Sequence, residues 1–526
     1  MTLKRLLLIG LTLFALMLSG LSLFGSWQKP QFQSRLELYQ TNIVLQAQGW
    51  QPEDSNNENF LAIRAAILGD KPLESATKQY QQARESVQTN LDKAEIKLAK
   101  LLLPDITAVT PPKPLPNDPL ETKTSLQEQQ QQLEKSVQQL QKLRDELDLR
   151  LGILQAKQGQ IENAVTTWSQ VQQRSDIKPE FSETAKVLNG IWSNPPRLLP
   201  NAQQLIQNNL EGWFQSTALI QLYKLQQRED ILADVLAAQQ AAATDAVWKL
   251  AIIATIPSLT ALIGVILLVA LVIQRLLKGR ESILAANAEK PWTTPWNAEI
   301  ILQVFVLGFF LMGQLFIPAI LNTLPIPRGT GNARVQAFSV LVSYLLVAFG
   351  ALSVLYFSIR RYLPLSEDWF RFRFQSNWFL WGLGGYCTAL PIVVVVSLIN
   401  QQLWNGQGGS NPLLQLALEN KDNVALGIFF FTAGIAAPFF EEFLFRGFLL
   451  PSLTRYIPVW ASIVASSLLF AAAHLSLSEI LPLTALGMVL GIVYTRSRNL
   501  LAPMLLHSLW NSGTLLSLFL LGSGNN

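Results

Sequence analysis

The sequence predicts an all-α, polytopic membrane protein with an added helical domain near its N-terminal end, outside the cytoplasm and similar to coiled-coil or tetratricopeptide helices. Three observations predict it. Half of the 526 residues are hydrophobic and only 14% are charged, and the mean hydropathy is +0.26, a balance typical of multiple membrane spans. Apolar runs of about 20 residues recur, separated by short arginine and lysine clusters, as bilayer-crossing helices require. Between the first and second runs lies a long stretch rich in Gln, Lys, Glu, Ala and Leu in which nothing is apolar enough to span.

Residues 1–27 form the first element. The run 6–24 follows Lys4 and Arg5, so basic charge precedes it. Small residues occur near its end, but no A-x-A-like site stands out, which favours an uncleaved anchor with a cytoplasmic amino terminus. Residues 28–246 then form the soluble extracytoplasmic domain. Prolines 104, 111, 112, 114, 116 and 119 make 104–119 a stiff linker between two expected helical lobes. The second lobe repeats leucine every seven residues at Leu126, Leu133, Leu140, Leu147 and Leu154, with Val137 and Leu151 at the complementary positions. This spacing predicts a coiled coil or long helical hairpin. Gly152, Gly159, Ala164 and Trp168 resemble one tetratricopeptide unit, small residues for close helix contact and then a large ring, with a weaker echo in Ala76 and Tyr80. The domain reads as a surface for a protein partner.

Residues 247–423 hold the spans that precede the core, at 250–273, 300–321, 337–358 and 379–399. Arg275, Lys278 and Arg280 follow the first of these, and Arg360, Arg361, Arg371 and Arg373 separate the last two, so both clusters read as cytoplasmic. Four further apolar segments in 424–526, at 425–450, 457–475, 479–494 and 500–521, bring the expected total to nine spans. Trp27, Trp248, Trp292, Trp296, Trp369, Trp378 and Trp404 fall near span ends, where indoles favour the membrane interface. The single cysteine, Cys387, allows neither an internal disulfide nor a cysteine metal site. The formal charge of +4 is modest, and no nucleic-acid partner is expected.

The chemistry concentrates in the last hundred residues. Glu441 and Glu442 interrupt an apolar helix, where lipid would expel a carboxylate that had no use. Glu442 and Arg446 stand at i,i+4 on one face and can neutralise each other. Glu441 points about 100° away and has no sequence-local partner. The protein's only two histidines, His474 and His507, lie in the same region, with Asn511 one turn beyond the second. At i,i+4, His507 and Asn511 face the same way and can converge on one oxygen.

Together these pieces, with Pro438-Phe439-Phe440-Glu441-Glu442-Phe443-Leu444-Phe445-Arg446-Gly447 as the most specific, resemble the intramembrane CAAX-protease and bacteriocin-processing family, also called Abi. The resemblance covers about 425–517. It implies that Glu441 is the general base activating water, that His474 helps to hold that water, and that His507 and Asn511 donate to the oxyanion. Glu442 and Arg446 would keep the site folded. A carboxylate withdrawn from bulk water is a better base, which suits this work. A polar cavity open to one membrane face is expected, the cytoplasmic one by the distance of Glu441 and His507 from the arginine-bearing turns.

The reading is therefore an intramembrane glutamic-type endopeptidase in a multi-pass plasma-membrane protein, acting on a peptide or protein substrate at the bilayer without a cofactor. Zinc held by the two histidines and a glutamate is the lesser alternative, since H-E-x-x-H is absent and no other His or Cys completes a shell. The competing functional class is a non-catalytic membrane scaffold or immunity-type protein acting through 28–246. A proton-coupled transporter fits less well, because the ionisable residues form one cluster and not a path.

Overall fold

The computed structural model describes residues 2–27, 33–51, 68–102, 120–174, 178–323, 332–404, 408–409 and 422–523, with the side chains of 33–35, 120–129 and 132 left aside. The proline linker 104–119, the side chain of Leu126 and most of the loop 401–423 lie outside the described residues. The chain starts with α1 (Leu3–Trp27). It continues through α2 (Gln33–Ala47), α3 (Pro72–Leu102), α4 (Leu120–Lys157), α5 (Ile161–Gln173), α6 (Pro179–Trp192), α7 (Ala202–Asn209) and α8 (Gly212–Gln226). Next come α9 (Glu229–Lys278), α10 (Ala298–Thr323), α11 (Ala333–Ile359), α12 (Trp378–Trp404) and α13 (Asn423–Leu453). Last are α14 (Val459–Ala472), α15 (Ile480–Ser497) and α16 (Leu501–Gly522). No strand occurs among the described residues. Two compact units form, Ser34–Ala251 and Met1–Gln33 with Ile252–Ser523, and the division falls inside α9.

In the first unit α3 and α4 make an antiparallel hairpin. Gln158 bonds Thr77, Arg84 pairs with Asp148 at 3.0 Å, and Leu91 and Ala94 meet Val137, so partners descend along one helix as they ascend the other. Leu147, Leu151 and Leu154 of the heptad set are buried together with Ala76 and Tyr80. One core thus joins the helices on either side of the proline linker, and the expected two lobes are a single packed body. The apolar faces of α3 and α4 are each other's best cover, and a linker of any stiffness that lets them meet permits this. Trp168 on α5 lies flat on Gly152, where a Cβ would come within 2.3 Å of its indole nitrogen, and donates to Leu149 O. This explains the small-then-large spacing as one helix pair.

In the second unit, eight helices among the described residues are long and apolar enough to cross a membrane, and this is a multi-pass membrane protein. The ninth expected span is the exception. α14 has 14 residues, about 21 Å of helix against a hydrocarbon core of about 30 Å. Its ends nonetheless lie with opposite ends of its neighbours. Arg455 just before it donates to Thr294 O and Trp296 O at the start of α10. Just after it, Leu477 N donates to Ser26 at the end of α1, and Ser478 O accepts from Asn400 near the end of α12. Helices approach closely where side chains vanish: a Cβ on Gly264 of α9 would fall 1.9 Å from Cys387 O of α12, and one on Gly382 would meet Ala502 O of α16 at 2.9 Å.

Three tryptophans differ from the interfacial expectation. Trp292, Trp296 and Trp369 are at most 6% exposed and belong to one buried core, and their indoles donate to Asp368 O, Ser452 Oγ and Thr293 O. Each buried N–H finds an acceptor, so the rings act as core and not as lipid anchors. Trp248, 68% exposed, keeps the expected character.

Candidate active site

The acid pair sits where α13 leaves regular α-helix. Asp422 caps the helix start, accepting from the backbone of Val424 and Ala425, and bonds Arg334 at 2.8 Å. The Ala425 N–H, the largest influence, and the Arg334 guanidinium hold its carboxyl below the usual range. Two π-helical stretches, Thr432–Ala436 and Phe443–Leu449, flank the six-residue α segment Ala437–Glu442. Pro438 explains the first. Having no N–H, it cannot donate to Gly434 O in α register or to Ala433 O in π register. α16 supplies the missing donors: Asn511 Nδ2 bonds Ala433 O at 2.8 Å, and Ser508 Oγ donates to Gly434 O. These two contacts lock α13 to α16 just before the glutamates.

Glu442 and Arg446 are both fully buried. Glu442 Oε1 accepts from Arg446 Nη1 and from His507 Nδ1, each at 2.8 Å. Arg446 also donates to Gly487 O of α15 at 3.1 Å and lies over the Phe470 ring at 4.5 Å. The pair is thus the hub joining α13, α14, α15 and α16. Its match is incomplete, because Glu442 Oε2 and Arg446 Nε are buried without a hydrogen-bond partner among the described residues.

Glu441 faces elsewhere. Its Oε1 accepts from the hydroxyl of Tyr344 on α11 at 3.1 Å, and its Oε2 is 4.0 Å from His507 Nε2. Glu441 and His474 both line a cavity of about 1040 Å³ walled by α1, α10, α11, α13 and the end of α14. His474 Nδ1 bonds Phe470 O at 2.9 Å, and since a carbonyl only accepts, this nitrogen carries the proton. Phe470 touches every member of the cluster's far side, with its ring centroid 5.1 Å from His474 and 5.7 Å from His507.

The cavity departs from expectation. Its walls are mostly apolar and follow α10 from Ile301 to Asn322, nearly the length of that helix, so it is neither a polar pocket nor confined to one end. α1 contributes Thr12, Leu16 and Ser19, which makes the first helix a wall of the site. Charged ties hold it there, Lys4 and Arg5 both pairing with Glu299 at the start of α10.

Five of the six residues singled out from the sequence therefore form one chain of contacts with Phe470: Glu441, Glu442, Arg446, His474 and His507. Asn511 is close by but bonds backbone, and it does not share an oxygen with His507. Sequence reasoning missed Tyr344, Ser508 and the carbonyl of Gly487. A tyrosine hydroxyl within an apolar span needs an acceptor, but that signal names no partner. Among the described residues no group of three His, Cys, Asp or Glu side chains gathers closely enough to hold a metal ion.

Residues 423–513 match the family model described as Type II CAAX prenyl endopeptidase Rce1-like. The chain is similar to the membrane-embedded CAAX protease MroQ of Staphylococcus aureus (strain USA300), 29% identical over 137 residues, covering 25% of this chain and 54% of the relative. It is also similar to the putative membrane peptidase YdiL of Bacillus subtilis (strain 168), 26% identical over 133 residues, covering 25% and 53%. An uncharacterized 24.3 kDa protein of Escherichia coli shares 41% identity over 81 residues, 14% of this chain and 37% of that protein. The chain spans about half the length of the first two relatives, and no solved structure matches it. The acid pair, both imidazoles and Asn511 all fall inside the stretch that matches the Rce1-like CAAX prenyl endopeptidase model.

Proposed function

We propose that this chain is an intramembrane endopeptidase in which Glu441 activates water to hydrolyse a peptide bond. The observation that carries the reading is the 4.0 Å gap between Glu441 Oε2 and His507 Nε2, with Glu441 on the wall of a membrane-depth cavity. Glu442, as a carboxylate, accepts a hydrogen bond from Nδ1–H of His507, which leaves the Nε2 lone pair turned toward Glu441. A water in the gap would donate one hydrogen to each acceptor and present its own lone pair to a carbonyl. Its oxygen attacks the carbonyl carbon while Glu441 takes the proton. The tetrahedral intermediate then expels the amine, to which Glu441 returns that proton, and the hydroxyl remains on the new carboxyl terminus. This assigns His507 to the water side of the reaction, while Asn511 retains a second N–H for the oxyanion and His474 an Nε2 toward the cavity.

The similarity to a CAAX protease and to a putative membrane peptidase supports peptide hydrolysis. The apolar cavity supports a substrate presented from the bilayer. We place the amino terminus in the cytoplasm and the unit Ser34–Ala251 outside the plasma membrane, because Lys4 and Arg5 precede α1 while Arg275, Lys278 and Arg280 end or follow α9. That unit is then a platform for a protein partner.

The test compares new protein termini in membranes carrying the native chain or Glu441→Gln. Termini present only with the native chain support the reading, with the variant's rate reduced at least ~100-fold, the usual effect of losing a general base. Unchanged termini, in a variant that elutes from size exclusion as the native protein does, refute it.

A further inference from the structure

Tyr344 belongs to α11, outside the stretch 423–513 that carries the family likeness. Its ring packs edge-on against Phe440, with centroids 6.0 Å apart at 86°, and its hydroxyl reaches Glu441 Oε1 at 3.1 Å. A phenol facing a carboxylate donates, so this is a charge-assisted bond. A carboxylate tied by one oxygen loses rotation about its last torsion, and here that leaves the other oxygen turned toward His507. The remaining charged or titratable groups around Glu441 are Glu442 and Arg446 on α13, His507 on α16 and His474 at the end of α14. Glu442 and Arg446 are committed to each other, His507 Nδ1 to Glu442 and His474 Nδ1 to a backbone carbonyl. Among the described residues Tyr344 is the donor bonded to Glu441.

We infer that Tyr344 is the positioning residue for the catalytic carboxylate: its hydroxyl fixes Glu441 Oε1 and aims Oε2 at the water site before His507. The inference rests on the reading of Glu441 as base. It also gives α11 a defined place in the reaction, beyond that of a wall.

The experiment follows the carboxyl itself. Dicyclohexylcarbodiimide modifies protonated carboxyl groups in apolar surroundings, and mass spectrometry of the full chain in detergent reads the adduct, with Glu441→Gln identifying which glutamate carries it. Tyr344→Phe keeps the ring against Phe440 and removes only the hydroxyl. Removing the hydroxyl uncovers Oε1 and frees the carboxyl to turn toward the reagent, so labelling of Glu441 should increase roughly tenfold. Cleavage by this variant should fall in kcat with KM retained. Tyr356→Phe, which removes a hydroxyl from an exposed face of the same helix, should leave labelling unchanged. Should Tyr344→Phe fail to fold, labelling of the native chain in the presence and absence of an O-methyltyrosine replacement at 344 gives the same comparison. Unaltered labelling overturns the role of Tyr344 whatever the enzyme does. Altered labelling in a chain whose Glu441→Gln form still generates the native termini overturns the base reading, and this proposal with it.

Discussion

The fully buried Glu442–Arg446 pair makes a quantitative prediction. Replacing Glu442 by leucine leaves the Arg446 guanidinium in an apolar interior with only Gly487 O and the Phe470 ring as compensation. Stranding one member of a buried ion pair costs about 3–5 kcal/mol. The same change deprives His507 Nδ1 of its acceptor, and an unmet buried donor adds about 1–3 kcal/mol. The single substitution should therefore destabilise the membrane unit by about 4 kcal/mol or more. Adding Arg446→Met removes the stranded charge and leaves chiefly the histidine cost, so the double variant should be more stable than Glu442→Leu alone by at least about 2 kcal/mol. Unfolding in detergent micelles, followed by tryptophan fluorescence and by size exclusion, measures both. If the double variant is destabilised by the sum of the two single changes, the pair is not a coupled unit and the argument fails.

Two further outcomes follow from local geometry. Pro438→Ala supplies the backbone donor that Ala433 O and Gly434 O lack, so Asn511→Ala should cost about 1 kcal/mol in the native background and distinctly less beside Pro438→Ala; equal costs in a double-mutant cycle would show that Asn511 is not replacing the proline's missing donor. In the Ser34–Ala251 unit, Gly152→Ala drives a methyl to within 2.3 Å of the Trp168 indole and should cost about 1–3 kcal/mol through overpacking, read as faster limited proteolysis of that unit in the intact chain, whereas Gly159→Ala in the open turn beyond α4 should affect only the left-handed turn itself.

Much of the architecture is legible along the chain because the properties that define it are periodic and local. Apolar runs of bilayer length located the eight long helices, and Leu147, Leu151 and Leu154 of the heptad set marked a face of α4 that is buried against its neighbours. The i,i+4 spacing of Glu442 and Arg446 brought them within bonding distance on one turn without help from the rest of the fold. The distribution of the two histidines pointed to the same region as the acid pair, since polar groups that lipid would exclude must find one another. These inferences use only helix geometry and the cost of polarity in an apolar medium.

Partner choice is different, because it depends on which distant elements the fold brings together. Tyr344 lies 97 residues before Glu441, and nothing in its own span distinguishes it from the other tyrosine there. The i,i+4 relation of His507 and Asn511 placed them on one face but said nothing of what opposes that face. The fold sets Glu442 before the first and the Ala433 carbonyl before the second. Tryptophans at span ends became a buried cluster because the loops between spans fold over them, and α14 reaches both ends of its neighbours although its length alone denies it a crossing. Sequence by itself determined which residues must leave lipid and water for each other; the tertiary structure decided the pairings, since a hydrogen bond is set by distances of about 3 Å that only packing between helices can fix.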